Sequence, residues 1–165
     1  MNVVAYDPEW PAQFEAERLV LERVLARWLS EGVHHIGSTA VPGLAAKPII
    51  DMIAGVHSLE ESRAAFPALA ELGYAYRVHR PEAHSFHRAE QFHLHLTEPG
   101  SDLWRERFAF RDALRGDTEL RREYAEWKLA HLGENGYTAS KRPLVFRVLA
   151  EQGIDLKPDA QRLSR

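Results

Sequence analysis

The block His35-Ile36-Gly37-Ser38-Thr39-Ala40-Val41-Pro42-Gly43-Leu44-Ala45-Ala46-Lys47-Pro48-Ile49-Ile50-Asp51 constrains the fold more than any other part of this chain. Two apolar, strand-like runs, residues 33–36 and 49–56, are joined by a loop of small residues carrying a Gly-Ser pair and a lysine. Lys47 precedes Pro48, which disfavours helical geometry at the lysine and gives an extended entry into the second run. That run places a carboxylate, Asp51, among β-branched and other apolar neighbours. An unpaired buried charge costs several kcal/mol, so Asp51 calls for a cation.

Composition narrows what such a block can serve. A chain of 165 residues with 45% hydrophobic and 27% charged residues has the balance of a globular domain. A net charge of -3 argues against a general nucleic-acid-binding surface, although a local cationic patch can still take a free nucleotide. With no cysteine, disulfides, thiolate metal sites and a Cys nucleophile are excluded. The N-terminal residues have no cationic start followed by an apolar stretch, and no apolar run approaches the ~20 residues that span a bilayer. The expectation is a soluble, cytoplasmic protein with neither membrane nor nucleic acid as partner.

Ahead of the block, Trp10-Pro11 opens an amphipathic segment in which Phe14, Leu21, Leu25 and Trp28 recur at helical spacing, with Gly32 as its expected end. Ser58 with Glu61 three residues on has the form of a capping box and predicts a helix running towards Gly73. Residues 74–78 and 91–97 read as strands, with residues 80–88 between them as a hairpin or excursion. From Ser101 the period turns helical. Leu103, Phe110 and Leu114 fit one helix, Leu120, Tyr124, Trp127 and Leu132 a second, and Leu144, Val145, Val148 and Leu149 a third. This order predicts an α+β fold: a mixed β-sheet flanked by α-helices, with a helical C-terminal half. One domain spans residues 1–165, its polar tail frayed from residue 155.

The two-residue period of a strand places Asp51 with Ile49 and Ile53 on one face, and Ile50, Met52 and Ala54 on the other. On residues 91–97 it places His93, His95 and Thr97 opposite Phe92, Leu94 and Leu96. The two imidazoles then stand roughly 6–7 Å apart along one face. If the two strands are neighbours, Asp51, His93 and His95 converge, and histidine is both a common metal ligand and a versatile acid or base. Exposure on a solvated sheet face is the plainer alternative for the histidines, and a hydrogen-bonded carboxylate closing the loop is the plainer one for Asp51. Lys47, and Lys141 near the start of the last helix, are candidate phosphate-binding cations; Tyr124 with Lys128 is an i, i+4 pair of the kind found on solvated helix faces.

The chain resembles the GrpB family, whose domain belongs to the nucleotidyltransferase-fold superfamily. Besides the block from His35 to Asp51, the resemblance rests on residues 6–10, His93-Leu94-His95-Leu96, Phe110-Arg111-Asp112, Tyr124-x-x-x-Lys128 and Tyr137-x-x-x-Lys141. It implies a Gly-Ser turn at the end of the first strand and a later strand with carboxylates two residues apart. Those carboxylates hold two divalent metals for phosphoryl transfer. Gly37, Ser38 and Asp51 match this pattern. Ile53 departs from it, standing where the second carboxylate belongs. One carboxylate with two imidazoles suits Zn²⁺ or Mn²⁺ better than Mg²⁺.

The function this resemblance implies is a metal-dependent, nucleotidyltransferase-like enzyme acting on a nucleotide and a small-molecule acceptor. Gly37, Ser38 and Thr39 with Lys47, Lys128 and Lys141 are then expected to bind phosphates. Ser38 and Asp51 are the catalytic candidates, and Asp51, His93 and His95 hold a divalent metal (Mg, Mn or Zn). The alternative is a non-catalytic nucleotide or small-ligand module that keeps the pocket without the full carboxylate set.

Overall fold

The computed structural model describes residues 2–131 and 142–155. Helix α1, Trp10–Leu25, has a proline in its first turn, where a missing N–H costs nothing. It is followed by β1, Leu29–Ile36, a 3₁₀ turn over Ser38–Ala40 and β2, Ile50–Val56. A second 3₁₀ turn, Glu61–Ala65, leads into α2, Phe66–Glu71, then β3, Ala75–Arg77, β4, Ala83–Arg88, and β5, Phe92–Thr97. Three helices complete the described chain: α3, Asp102–Gly116, α4, Thr118–Ala130, and α5, Arg142–Glu151. Ser101 caps α3 by accepting from the Trp104 N–H at 3.2 Å, and Asp117 caps α4 through Leu120 N–H at 3.0 Å.

The sheet runs β1-β2-β5-β4-β3. All neighbours are antiparallel except β2 and β5, which run parallel in the register Asp51 beside His93 and Ile53 beside His95. This is the mixed sheet with flanking helices and a helical C-terminal half that the sequence predicts. Ile50, Met52, Ala54 and Val56 of β2 join Leu94 and Leu96 of β5 in a core closed by Leu21 and Leu25 of α1 and Leu69 of α2. Each such side chain contributes about 1.5–3 kcal/mol on full burial. On the opposite face Ile36, Ile53 and Ala83 pack on Leu103 of α3, with Trp104 and Phe108 beside them.

Three expectations about elements are corrected. Helix α1 stops at Leu25 rather than at Gly32, and Trp28 belongs to the turn before β1. Gly32 lies within β1, where the pairing register shifts; a side chain there would meet Glu22 Oε1 at 2.7 Å. The segment from Ser58 is not one helix. Ser58 Oγ does accept from Glu61 N–H, at 3.2 Å, but Pro67 sits in the first turn of a separate α2. Residues 83–88, expected within a hairpin or excursion, form β4, which pairs antiparallel with both β5 and the edge strand β3. Among the described residues no helix is long and apolar enough to cross a membrane.

Candidate functional site

The site forms where β1 ends and β2 and β5 begin. Ile36 closes β1 opposite Asp51, and Gly37 follows at φ 74°, a conformation that L side chains rarely adopt. A Cβ on Gly37 would also lie 2.6 Å from Asp51 Oδ2. Glycine is therefore required twice over, by backbone angle and by the approach of the carboxylate.

Ser38 begins the 3₁₀ turn, and its Oγ accepts from Lys128 Nζ at 2.8 Å. Lys128 also donates to Ala45 O at 2.9 Å and stands 4.8 Å over the Tyr124 ring. It is only 3% exposed, so the helical pair Tyr124/Lys128 is no solvated face: it fastens α4 to both ends of the Gly-Ser loop. Thr39 is 1% exposed. Its hydroxyl donates to Ile49 O at 2.9 Å and therefore accepts from His35 Nε2–H at 3.0 Å. That hydroxyl ties the loop to β1 and β2. Lys47 is exposed at the entry to β2. Lys141, with Tyr137 of the same motif, lies outside the described residues.

Asp51 meets an imidazole across the parallel pair: His93 Nδ1 is 3.0 Å from Asp51 Oδ1. Burial pushes the Asp51 carboxyl up. The hydrogen bond from His93, helped by the nearby Arg107 charge, outweighs it, so the group stays below the usual carboxylate range. The Asp51 side chain keeps 32% of its surface exposed and remains reachable from solvent. His87 of β4 stacks on His93 with ring centroids 3.8 Å apart. His95 turns the other way, its Nδ1 2.7 Å from Ser85 Oγ. Burial first, and the Arg107 charge next, depress His95 to about 3, so its ring is neutral at pH 7. His79, between β3 and β4, lies over it at 5.6 Å between centroids.

The three expected metal ligands thus separate into two pairs, Asp51 with His93 and His95 with Ser85. Ile53 is fully buried against Ile36, Ala83 and Leu103 and offers no donor. Glu90 and Glu98, the nearest acids in sequence, are exposed beyond the ends of β5, and the charged groups acting on Asp51 are all basic. Glu106 is held by Arg80 at 2.7 and 3.1 Å. Among the described residues no three His, Asp or Glu side chains are grouped to hold a metal. Mg²⁺ wants an octahedral oxygen shell and catalytic Zn²⁺ three protein ligands. Asp51 and His93 supply two donors, so this side-chain set does not fit a resident metal pair.

The sequence model of the family described as GrpB protein matches residues 1–151. The chain belongs to the GrpB family. It is 30% identical over 165 residues to the glutamate-rich protein GrpB of Alkalihalophilus pseudofirmus, a match covering 90% of this chain and 94% of that one. The crystal structure of GrpB from Enterococcus faecalis superposes with a TM-score of 0.81 at 26% identity, covering 93% of this chain and all of that one. A chain of the GLD-2/RNP-8 complex superposes with a TM-score of 0.57 at 12% identity, over 97% of this chain and 66% of that chain. This last likeness is one of fold.

Sequence reasoning missed His79, Ser85, His87 and Arg107 of this GrpB-family site. Ser85 and His87 were legible in principle, since with Ala83 they hold alternate positions on one face of β4. Nothing in the sequence distinguishes Arg107 from the other basic residues of α3.

Proposed function

We propose that this GrpB-family protein binds a nucleoside triphosphate together with the Mg²⁺ that accompanies it, as a ligand-binding module that does not carry out two-metal nucleotidyl transfer. The observation that carries this reading is the lone carboxylate: Asp51 lies against Gly37 with Ile53, not an acid, two residues on, and its charged neighbours are basic. Mg²⁺ keeps several waters and is commonly held by one or two carboxylates plus the phosphates of its nucleotide. A single Asp51 is enough for that, and too little for a resident metal pair. The Gly37-Ser38 turn, fixed by Lys128, supplies the adjoining corner for the phosphates, with exposed Lys47 on the same loop. A cytoplasmic location accompanies this reading, because nucleoside triphosphates are held there.

Calorimetric titration with ATP, GTP, CTP and UTP, with and without Mg²⁺, tests it. Saturable, Mg²⁺-dependent binding that is lost in Asp51→Asn, with no pyrophosphate released, is expected. Absence of binding by folded protein overturns the nucleotide assignment. A second reading, catalysis, is favoured by the Asp51–His93 pair, since a carboxylate that orients an imidazole is the arrangement of a general base. Pyrophosphate release would mark nucleotidyl transfer, and orthophosphate release hydrolysis.

A further inference from the structure

Among the described arginines that are partly buried, one stands apart. Arg80 is clamped by Glu106 through two hydrogen bonds, and Arg88 is held by Glu17 at 2.6 Å. Arg111 donates to Asp112 and to His35 O, and Arg115 to Ala40 O. Arg107, on α3, has a buried Nε with no hydrogen-bond partner, and no ion pair joins it to any described residue. Its neighbour in sequence, Glu106, is already taken by Arg80, and the Asp51 carboxylate is already bonded to His93. Among the described residues the guanidinium of Arg107 is therefore left without an ion pair of its own.

The field of that charge reaches His79 and His95, whose rings lie 5.6 Å apart between centroids. His79 and His95 are both pushed below the ordinary imidazole value, by burial first and by Arg107 next. The clamp of Arg80 on Glu106 ties the segment carrying His79 to α3, and His95 is fixed by Ser85. Two imidazoles, one on β5 and one between β3 and β4, thus accompany an unpartnered guanidinium on α3.

We propose that Arg107, with His79 and His95 beside it, is a second anion subsite that takes a phosphate group of a small-molecule partner. The planar fork of a guanidinium matches phosphate oxygens two at a time. The imidazole N–H groups add donors at the rim. That this phosphate stands opposite a nucleotide rests on the proposed nucleotide binding; the subsite itself does not.

The test is a titration of the isotope-labelled protein with inorganic phosphate alone, without nucleotide or Mg²⁺, followed by NMR at the arginine Nε–Hε and histidine ring signals. Saturable shifts of Arg107, His79 and His95 are expected, with affinity reduced about tenfold or more in Arg107→Gln. Shifts confined to Arg111 or Arg115, unsaturating shifts, or equal affinity in Arg107→Gln overturn the proposal. The parent titration decides the question even if the variant folds poorly. Asp51→Asn separates the two readings: nucleotide binding is lost there while phosphate still saturates Arg107. Phosphate saturation at Arg107 in a protein that binds no nucleotide would leave this subsite standing and remove the nucleotide assignment.

Discussion

The two faces of the sheet are built from the same strands and treat polar groups in opposite ways. Towards α1 and α2, polar side chains are closed off inside the fold. Glu17 takes Tyr74 Oη at 2.8 Å and Arg88 at 2.6 Å, His84 bonds to Leu59 O at 2.9 Å, and His35 donates to Thr39. Towards α3, among the described residues, His34 Nε2, Glu82 Oε1 and Arg107 Nε are buried without a hydrogen-bond partner. Alternation on β2 makes the division, with Met52 to one side and Asp51 to the other. A face that serves only stability satisfies its donors and acceptors; one that meets a ligand keeps some of them open.

The α3 face is itself divided, and Ile53→Asp tests that division with the largest expected effect. Ile53 is fully buried among Ile36, Ala83 and Leu103. A carboxylate there restores the missing acid of the nucleotidyltransferase pattern but loses apolar packing and buries a charge. It should cost about 4 kcal/mol or more, read from urea denaturation. A near-neutral result would mean that the dry half of this face accepts charge as readily as the half around Asp51. On the opposite face, Glu17→Ala leaves Arg88 and the Tyr74 hydroxyl without their acceptor. Removing one member of a buried pair costs about 3 kcal/mol or more, and the loss should appear in the same denaturation experiment without change in phosphate or nucleotide affinity.

Much of this contrast is legible in the amino-acid sequence. The period of two on β2 and β5 separates Asp51, His93 and His95 from the core residues, and their parallel pairing brings Asp51 to His93. Strand β4 is hidden because neither of its faces is purely apolar: Ser85 and His87 look towards α3, while His84 and Arg88 flank Phe86 on the other side. The end of α1 is obscured because Trp28 and Leu29 continue its apolar count although the chain has already turned into β1. Lys128 can be placed on a helix but not beneath Ser38, a contact between residues 90 positions apart. Which partly buried arginine goes unpaired depends on how Glu17 and Glu106 are taken by arginines far apart in sequence, and this is decided only by the tertiary fold.

Acid provides a graded test of the closed face. Burial first, and the charge of Arg115 next, lower His35 from 6.5 to about 4. Between those values the unfolded chain binds a proton that the folded chain refuses. Stability is therefore whole above about pH 6.5 and falls as the pH drops towards 4, by up to about 3 kcal/mol. His95 acts in the same direction from the other face, so the parent profile contains both. Replacing His35 with Gln isolates one of them: the difference between parent and variant should grow smaller in acid across this window. A difference that is constant with pH would show that His35 does not remain neutral in the fold.

Ser38→Ala carries the smallest expected effect and addresses the seam between the two faces. The substitution removes one charge-assisted hydrogen bond from a lysine that keeps Ala45 O and its place over Tyr124. Stability should fall by about 1–2 kcal/mol, because Lys128 is too deeply buried to recover that bond from water. The effect on ligand should be distinct. If the hydroxyl acts only as an anchor for the turn, Mg²⁺-nucleotide affinity falls only as far as the Gly37-Ser38 corner loosens, and Ser38→Thr, which keeps the hydroxyl, restores both stability and affinity. Restored stability without restored affinity would place the hydroxyl, rather than the turn it fixes, in contact with the phosphates. Calorimetry on the two variants, paired with their denaturation midpoints, distinguishes these outcomes: an anchor moves both quantities together in both variants, whereas a ligand contact separates them in Ser38→Thr.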